Sequence, residues 1–212
     1  EVPSRGLGDV YKRQDPSWKT QSGQAWFHID QHPISKPGKQ CIQGLINLLP
    51  TSKEIGGNVV IPKSHNFFKD IPEEYKERVE RLPLDIDHFR FPHDDPKLSS
   101  EPAVMAHMEP GDMLLWDSRT IHCSSSGSSL PEGTNDLIRA ASLICMMPKE
   151  LSSKEILEKR IHAAENLVST TNWTNDFRNA DEFPIILEAE NRDQYKWPKK
   201  PNLSDYQKEL IA

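Results

Sequence analysis

The stretch "AWFHIDQ" (25–31) sets an imidazole and a carboxylate two residues apart in an otherwise apolar, strand-like run. In a β-strand, side chains at i and i+2 point to the same face, so the spacing predicts His28 and Asp30 side by side. A chance pair, a structural hydrogen bond and part of a metal site all fit that local pattern. The surrounding chain has to choose among them.

Working outward, "QCIQGLINLLP" (40–50) reads as a buried strand, and "GGNVVIPKSH" (56–65) as a Gly-Gly turn followed by a strand ending at Pro62. "PAVMAHM" (102–108), "GDMLLWD" (111–117), "RTIHCS" (119–124) and "LIRAASLICMMP" (137–148) continue the series. Many short strands separated by Gly/Pro turns predict an antiparallel sandwich or barrel rather than a βαβ fold. Residues 66–102 are polar and proline-punctuated, with one helix-like piece, "PEEYKERVERL" (72–82). Such a length is unusual for a plain connection in a compact domain and suggests a lid or specificity loop. After Pro148 the pattern becomes helical. "SSKEILEKRIHAAENLV" (152–168) opens on Ser152 and Ser153 as cap candidates, and residues 169–212 read as loop with a short terminal helix.

The bulk numbers narrow the classes. A chain of 212 residues with 17 prolines and 27% charged residues predicts one soluble domain with long surface loops. The 32 acidic against 26 basic residues give −6, and no basic block appears, which disfavours nucleic acid as a partner. No apolar run reaches the length of a membrane span. Three widely spaced cysteines, with no CxxC pair, predict reduced thiols and a cytoplasmic setting. The segment "GLGDVYKRQ" (6–14) resembles the translation of a sequencing-library transposon end. The expected organisation is therefore a non-native leader over 1–14, a β core over 15–150 lacking its N-terminal part, and a helical extension over 151–212.

The chemistry gathers when His122 is added to the opening pair. Two histidines and one carboxylate, two of them at strand spacing and the third from a distant strand, form the ligand set of a facial triad for non-haem Fe(II). Arg139, on the next strong strand, is suited to a bidentate pair with a co-substrate carboxylate. Taken in order, "WFHIDQ", "CIQGLINLLPTSKEIGGNVVIPKSH", "GDMLLWDSRTIH" and "RAASLICMM" resemble the phytanoyl-CoA dioxygenase family over about residues 24–148.

That resemblance implies an all-β double-stranded β-helix (a jelly-roll or cupin-like core) with C-terminal helices. It also implies a dioxygenase using Fe(II), 2-oxoglutarate and O2 to hydroxylate an unactivated C–H bond of a small organic or lipid-like substrate, releasing succinate and CO2. His28, Asp30 and His122 would be the iron ligands, and Arg139 would grip the distal carboxylate of 2-oxoglutarate. Gln43 and Asn47, at the same parity on one strand, and Ser124, just past His122, would line the co-substrate pocket. The "IPKSH" turn would be scaffold, with Lys63 where the family usually has glycine and His65 near the pocket mouth. "SSSGSSLPEGTND" (124–136) reads as a surface insertion, and Ala141 stands where many related oxygenases carry Ser or Thr. Asp30 argues for hydroxylation, since halogenating relatives have glycine or alanine at that position. His88, Arg90 and His93 are candidates to meet an anionic substrate. A non-catalytic jelly-roll binding protein and a cupin-like metalloenzyme without 2-oxoglutarate are the competing readings. The small-molecule substrate and the oligomeric state are not written in these motifs.

Overall fold

The computed structural model describes residues 9–12, 26–126, 137–166, 168, 170–177 and 199–211. In chain order its strands are β1 (Asp9–Lys12), β2 (His28–Ile29), β3 (Ile42–Asn47), β4 (Gly56–Val60), β5 (Phe89–Arg90), β6 (Val104–Met105), β7 (Met113–Asp117), β8 (His122–Ser126) and β9 (Leu137–Met146). They form two antiparallel sheets, ordered β1-β9-β3-β7 and β5-β2-β8-β4-β6. The all-β expectation therefore holds for the core, with a few helices added. The surface insertion expected over 124–136 lies, from residue 127 on, outside the described residues, as do most of the expected leader and much of the tail. Of the leader, residues 9–12 are described, and they form the edge strand beside β9.

Register decides which residues face inward. In the first sheet Gln43 pairs with both Trp116 and Cys145, Leu45 with Leu114 and Leu143, and Asn47 with Ala141. Directly opposed residues in an antiparallel pair share a face. Gln43, Leu45, Asn47, Leu114, Trp116, Ala141 and Leu143 thus make one inner surface, and Leu45 and Ala141 pack there with Met108. In the second sheet Arg90, His28, His122 and Val60 form one row across four strands. Ile29 and Phe89 pair on the opposite face.

That opposite face corrects the expectation of a lid. Phe68, Ile71, Val79, Phe89 and Phe91, all from the long polar-looking segment, join Ile29, Ile61 and Ile121 in a single apolar cluster. Each such side chain, fully buried, contributes ~1.5–3 kcal/mol, so this layer is a major source of the fold's stability. The expected 72–82 helix appears as two short helices, α1 (Ile71–Glu74) and α2 (Lys76–Glu80). Tyr75, at φ −115 and ψ 33, breaks them. Its ring meets Phe89 and Phe91 edge-on, and its hydroxyl donates to Asp95 Oδ2 (2.5 Å). Tertiary packing outweighs the local helical pattern at that residue.

Beyond the sheets, α3 (Lys154–Glu165) starts where the cap signal placed it, with Ser153 Oγ accepting from Ile156 N (3.2 Å). Arg160 Nη1 on α3 donates to Trp173 O and Asp176 O, holding the following loop. A last helix, α4 (Asp205–Ile211), is tied to α3 by a Lys208–Glu165 ion pair of 2.7 Å. Among the described residues no helix is long and apolar enough to cross a membrane.

Candidate metal centre

His28 and His122 are register partners on adjacent strands, so their side chains leave the second sheet toward the same space. Their rings stand 4.4 Å apart between centroids. Asp30 reaches that space by another route than the sequence suggested. Strand β2 ends at Ile29, and the chain bends at Asp30, whose N–H donates to Ser118 O (3.2 Å). The anchored bend turns the carboxylate back between the imidazoles: Oδ1 is 3.3 Å from His28 Nε2 and Oδ2 is 3.5 Å from His122 Nε2. Ligand atoms of the three residues lie within 4.8 Å of one another.

The outward nitrogens fix the tautomers. His28 Nδ1 lies 3.1 Å from Trp26 O, and His122 Nδ1 lies 2.9 Å from Thr120 O. A carbonyl oxygen only accepts, so each Nδ1 carries the proton and each Nε2 turns its lone pair inward. Neutral imidazoles would then meet Asp30 lone pair to lone pair. A cation between them, either a proton or a metal ion, resolves that conflict, and hydrogen-bonded Nδ1 atoms are the usual support of metal-bound histidines.

The electrostatics follow from burial and crowding. Burial, and then the neighbouring His122, lower the His28 imidazole below its ordinary value. Burial also pulls His122 down, but hydrogen bonding and attraction to Asp30 more than offset it and leave that imidazole raised. Burial pushes Asp30 up, while the two histidines outweigh it and hold the carboxyl well below the usual carboxylate range. The centre thus favours an ionised Asp30 beside at least one neutral imidazole, as metal ligation needs.

Aromatic rings wall the site. Trp26 stacks on His28 (4.2 Å, 10°), the Arg90 guanidinium lies 5.0 Å above Trp26, and Trp116 tilts against His122 (5.4 Å). Gln43 crosses from the first sheet, its Nε2 donating to Asp30 Oδ2 (3.0 Å) and its Oε1 accepting from Trp116 Nε1 (2.9 Å).

The other expected residues divide. Arg139 is buried at 4% exposure on β9, two residues from Ala141 and so on the inner face with Gln43 and Asn47. Asn47 is also buried, with Nδ2 donating to Thr51 Oγ1 (3.2 Å), which ties it to the segment that follows its strand. Ser124 shares the His122 face of β8, opposite Asn58. Ser142 pairs with Ile46 and faces away. Cys123 also faces away from His122, and burial pushes its thiol up to about 12. His65 is close enough to Asp117 for its charge to help lower that carboxyl. Of the three candidates for anion contact, Arg90 shares the His28 face but is exposed, His88 faces Asp87 (3.8 Å), and His93 is exposed. Trp116 is a neighbour of the site that the sequence motifs do not mark, because its pairing with Gln43 is a matter of register.

Residues 9–130 match the family model described as phytanoyl-CoA dioxygenase (PhyH). The chain belongs to the phytanoyl-CoA dioxygenase family. The chain is also similar to the "Ava biosynthesis cluster protein O" of Aspergillus versicolor, 30% identical over 171 residues, covering 77% of this chain and 51% of the relative. The chain thus spans about half the length of the curated relative it matches. Among solved structures it is similar to EvdMO1 (22% identity, 58% of this chain and 23% of that one, TM-score 0.37). It is also similar to the epimerase SnoN in complex with Fe3+, alpha ketoglutarate and nogalamycin RO (15% identity, 69% and 45%, TM-score 0.38).

Proposed function

We propose that this member of the phytanoyl-CoA dioxygenase family is an Fe(II)- and 2-oxoglutarate-dependent dioxygenase that hydroxylates an unactivated C–H bond of a small organic or lipid-like molecule. The observation that carries the reading is the convergence of His28, Asp30 and His122, with both Nδ1 protons spent on backbone carbonyls. When bound, iron would supply oxygen activation coupled to conversion of 2-oxoglutarate to succinate and CO2. His28 and His122 would hold it through Nε2, and Asp30 would supply the anionic ligand. Three protein ligands leave positions open for co-substrate and oxygen. Arg139, buried on the inner face, is suited to the distal carboxylate of 2-oxoglutarate by its planar fork of donors. Asn47, on the inner face of β3, and Ser124, on the His122 face of β8, are assigned in this reading to the same pocket from opposite sheets. Trp26 and Trp116 exclude water from the imidazoles, which keeps the centre dry until it is loaded. The two sheets are assigned in the same reading to a double-stranded β-helix.

Anaerobic titration with Fe(II) and 2-oxoglutarate tests the assignment. A visible metal-to-ligand charge-transfer band is expected, absent in His28→Ala and weakened in Arg139→Ala. Tight iron binding without the band would favour a cupin-like metalloenzyme that does not use 2-oxoglutarate. Failure to bind iron at all would overturn the reading.

A further inference from the structure

The amide of Gln43 has both ends committed. It accepts from Trp116 Nε1 (2.9 Å) and donates to Asp30 Oδ2 (3.0 Å). An indole N–H can only donate, so the amide oxygen has to face Trp116 and the NH2 has to face Asp30. The orientation of an amide, otherwise free to flip by 180°, is therefore set by one neighbouring ring. Gln43 and Trp116 are directly opposed across β3 and β7, so the backbone holds both ends of this contact in register. Gln43 is 3% exposed, which leaves its amide little access to water as a competing partner.

The consequence falls on Asp30. Its backbone sits on a bend rather than in a ladder, and its carboxylate is about one quarter exposed. Such a side chain is free to rotate unless something holds it. The donated hydrogen bond occupies Oδ2 and presents Oδ1 beside His28 Nε2. We propose that Gln43, oriented by Trp116, is a positioning residue that fixes the Asp30 carboxylate for metal binding, and that its amide is not a contact for the co-substrate. This rests on the functional reading above, and it departs from the family-based expectation that Gln43 lines the co-substrate pocket.

The test compares Co(II) and Fe(II) affinity, measured anaerobically without co-substrate, in the unaltered protein, Gln43→Ala, Trp116→Phe and the double variant. Circular dichroism and melting temperature establish that each is folded. Gln43→Ala is expected to weaken metal binding 10–100-fold, as loss of a group supporting a ligand does. Trp116→Phe, which keeps a ring but loses the N–H, should weaken it less and in the same direction. The double variant should bind as Gln43→Ala does, because the ring acts only through the amide. The Co(II) visible spectrum should change in Gln43→Ala as the freed carboxylate alters its denticity. Affinity for 2-oxoglutarate at saturating metal should change by less than ~3-fold.

Equal metal affinity in all four proteins would overturn the inference and leave the functional reading standing. So would additive losses in the double variant, or a tenfold loss of 2-oxoglutarate affinity in Gln43→Ala with metal affinity intact. Absence of metal binding in the unaltered protein would overturn the functional reading and this inference together.

Discussion

Ser64 Oγ accepts a hydrogen bond from Ile121 N at 2.8 Å, joining the turn after β4 to the residue immediately before His122. Ser64 is 1% exposed, and the contact satisfies a backbone N–H at the entrance of β8. The sequence reading of the "IPKSH" turn as scaffold is therefore given a specific atom to support.

Removing that oxygen strands a buried donor. Ser64→Ala is expected to cost ~1–3 kcal/mol, since the Ile121 N–H loses its partner without gaining water. Urea denaturation followed by fluorescence would measure it, and an unchanged midpoint would contradict the role given to this hydroxyl.

Lys63 offers the opposite prediction. It sits at φ 61 and ψ 0, the left-handed region, and is the one non-glycine residue with positive φ among those described. An L side chain there costs ~1–2 kcal/mol. Its ion pair with Glu101 (3.3 Å) is exposed and offsets little of this. Lys63→Gly relieves the strain but adds backbone freedom to the unfolded chain, ~0.4–1 kcal/mol. The net expectation is a gain of roughly 0.5–1 kcal/mol, read as a rise of about 1–4 °C in melting temperature. A fall in Tm would mean that the ion pair matters more than the backbone.

Gly44 is constrained by space. A Cβ there would stand 2.7 Å from Leu114 O and 2.5 Å from Leu115 Cδ2. The leucine side chain can move, whereas the carbonyl belongs to the β3–β7 ladder. Gly44→Ala should therefore destabilise the first sheet by ~1–3 kcal/mol, as overpacking does. Thermal melts decide it, with an unaltered melting temperature as the contrary result.

Acid should loosen the β7–β8 corner. Burial raises the Asp117 carboxyl, but Arg119 outweighs it through hydrogen bonds from Nε (2.8 Å) and Nη2 (2.7 Å) and through its charge, so the folded-state value is lowered. A depressed carboxyl stabilises the fold above its unfolded value, near pH ~4, and loses that contribution as pH falls through the folded value. Asp117→Asn should be less stable than the unaltered protein at pH 7, by ~1 kcal/mol, with the gap closing below pH ~4. Denaturation midpoints at pH 7 and pH 3 measure both arms, and a constant gap would remove Asp117 from the acid response.

The site was readable in the sequence where its chemistry follows from residue identity. His28 and His122 stand out because strand parity and flanking motifs agree, and the register of β2 and β8 brings them together. Asp30 stands out by residue type alone, because a bend held by Ser118, not strand alternation, aims its carboxylate. The Gln43–Trp116 contact joins residues 73 positions apart, and nothing in either strand specifies that they are opposed. The layer beneath the second sheet was hidden for a different reason. Phe68, Ile71, Val79, Phe89 and Phe91 are scattered among charges and prolines at no fixed period, so the segment looks like surface until it is folded.

Strands β2 and β8 are pressed from behind by that layer, since Ile29 and Ile121 belong to the same cluster as Val79 and Ile71. Any opening that peels α1 and α2 away also releases the backbone carrying both imidazoles. An ion held on the far side would therefore be felt as slower amide hydrogen exchange across residues 71–80, although none of them touches it. At a hundredfold excess over Kd the added protection amounts to about 2.7 kcal/mol for every opening that destroys the site. The helices would act as a distant reporter of occupancy.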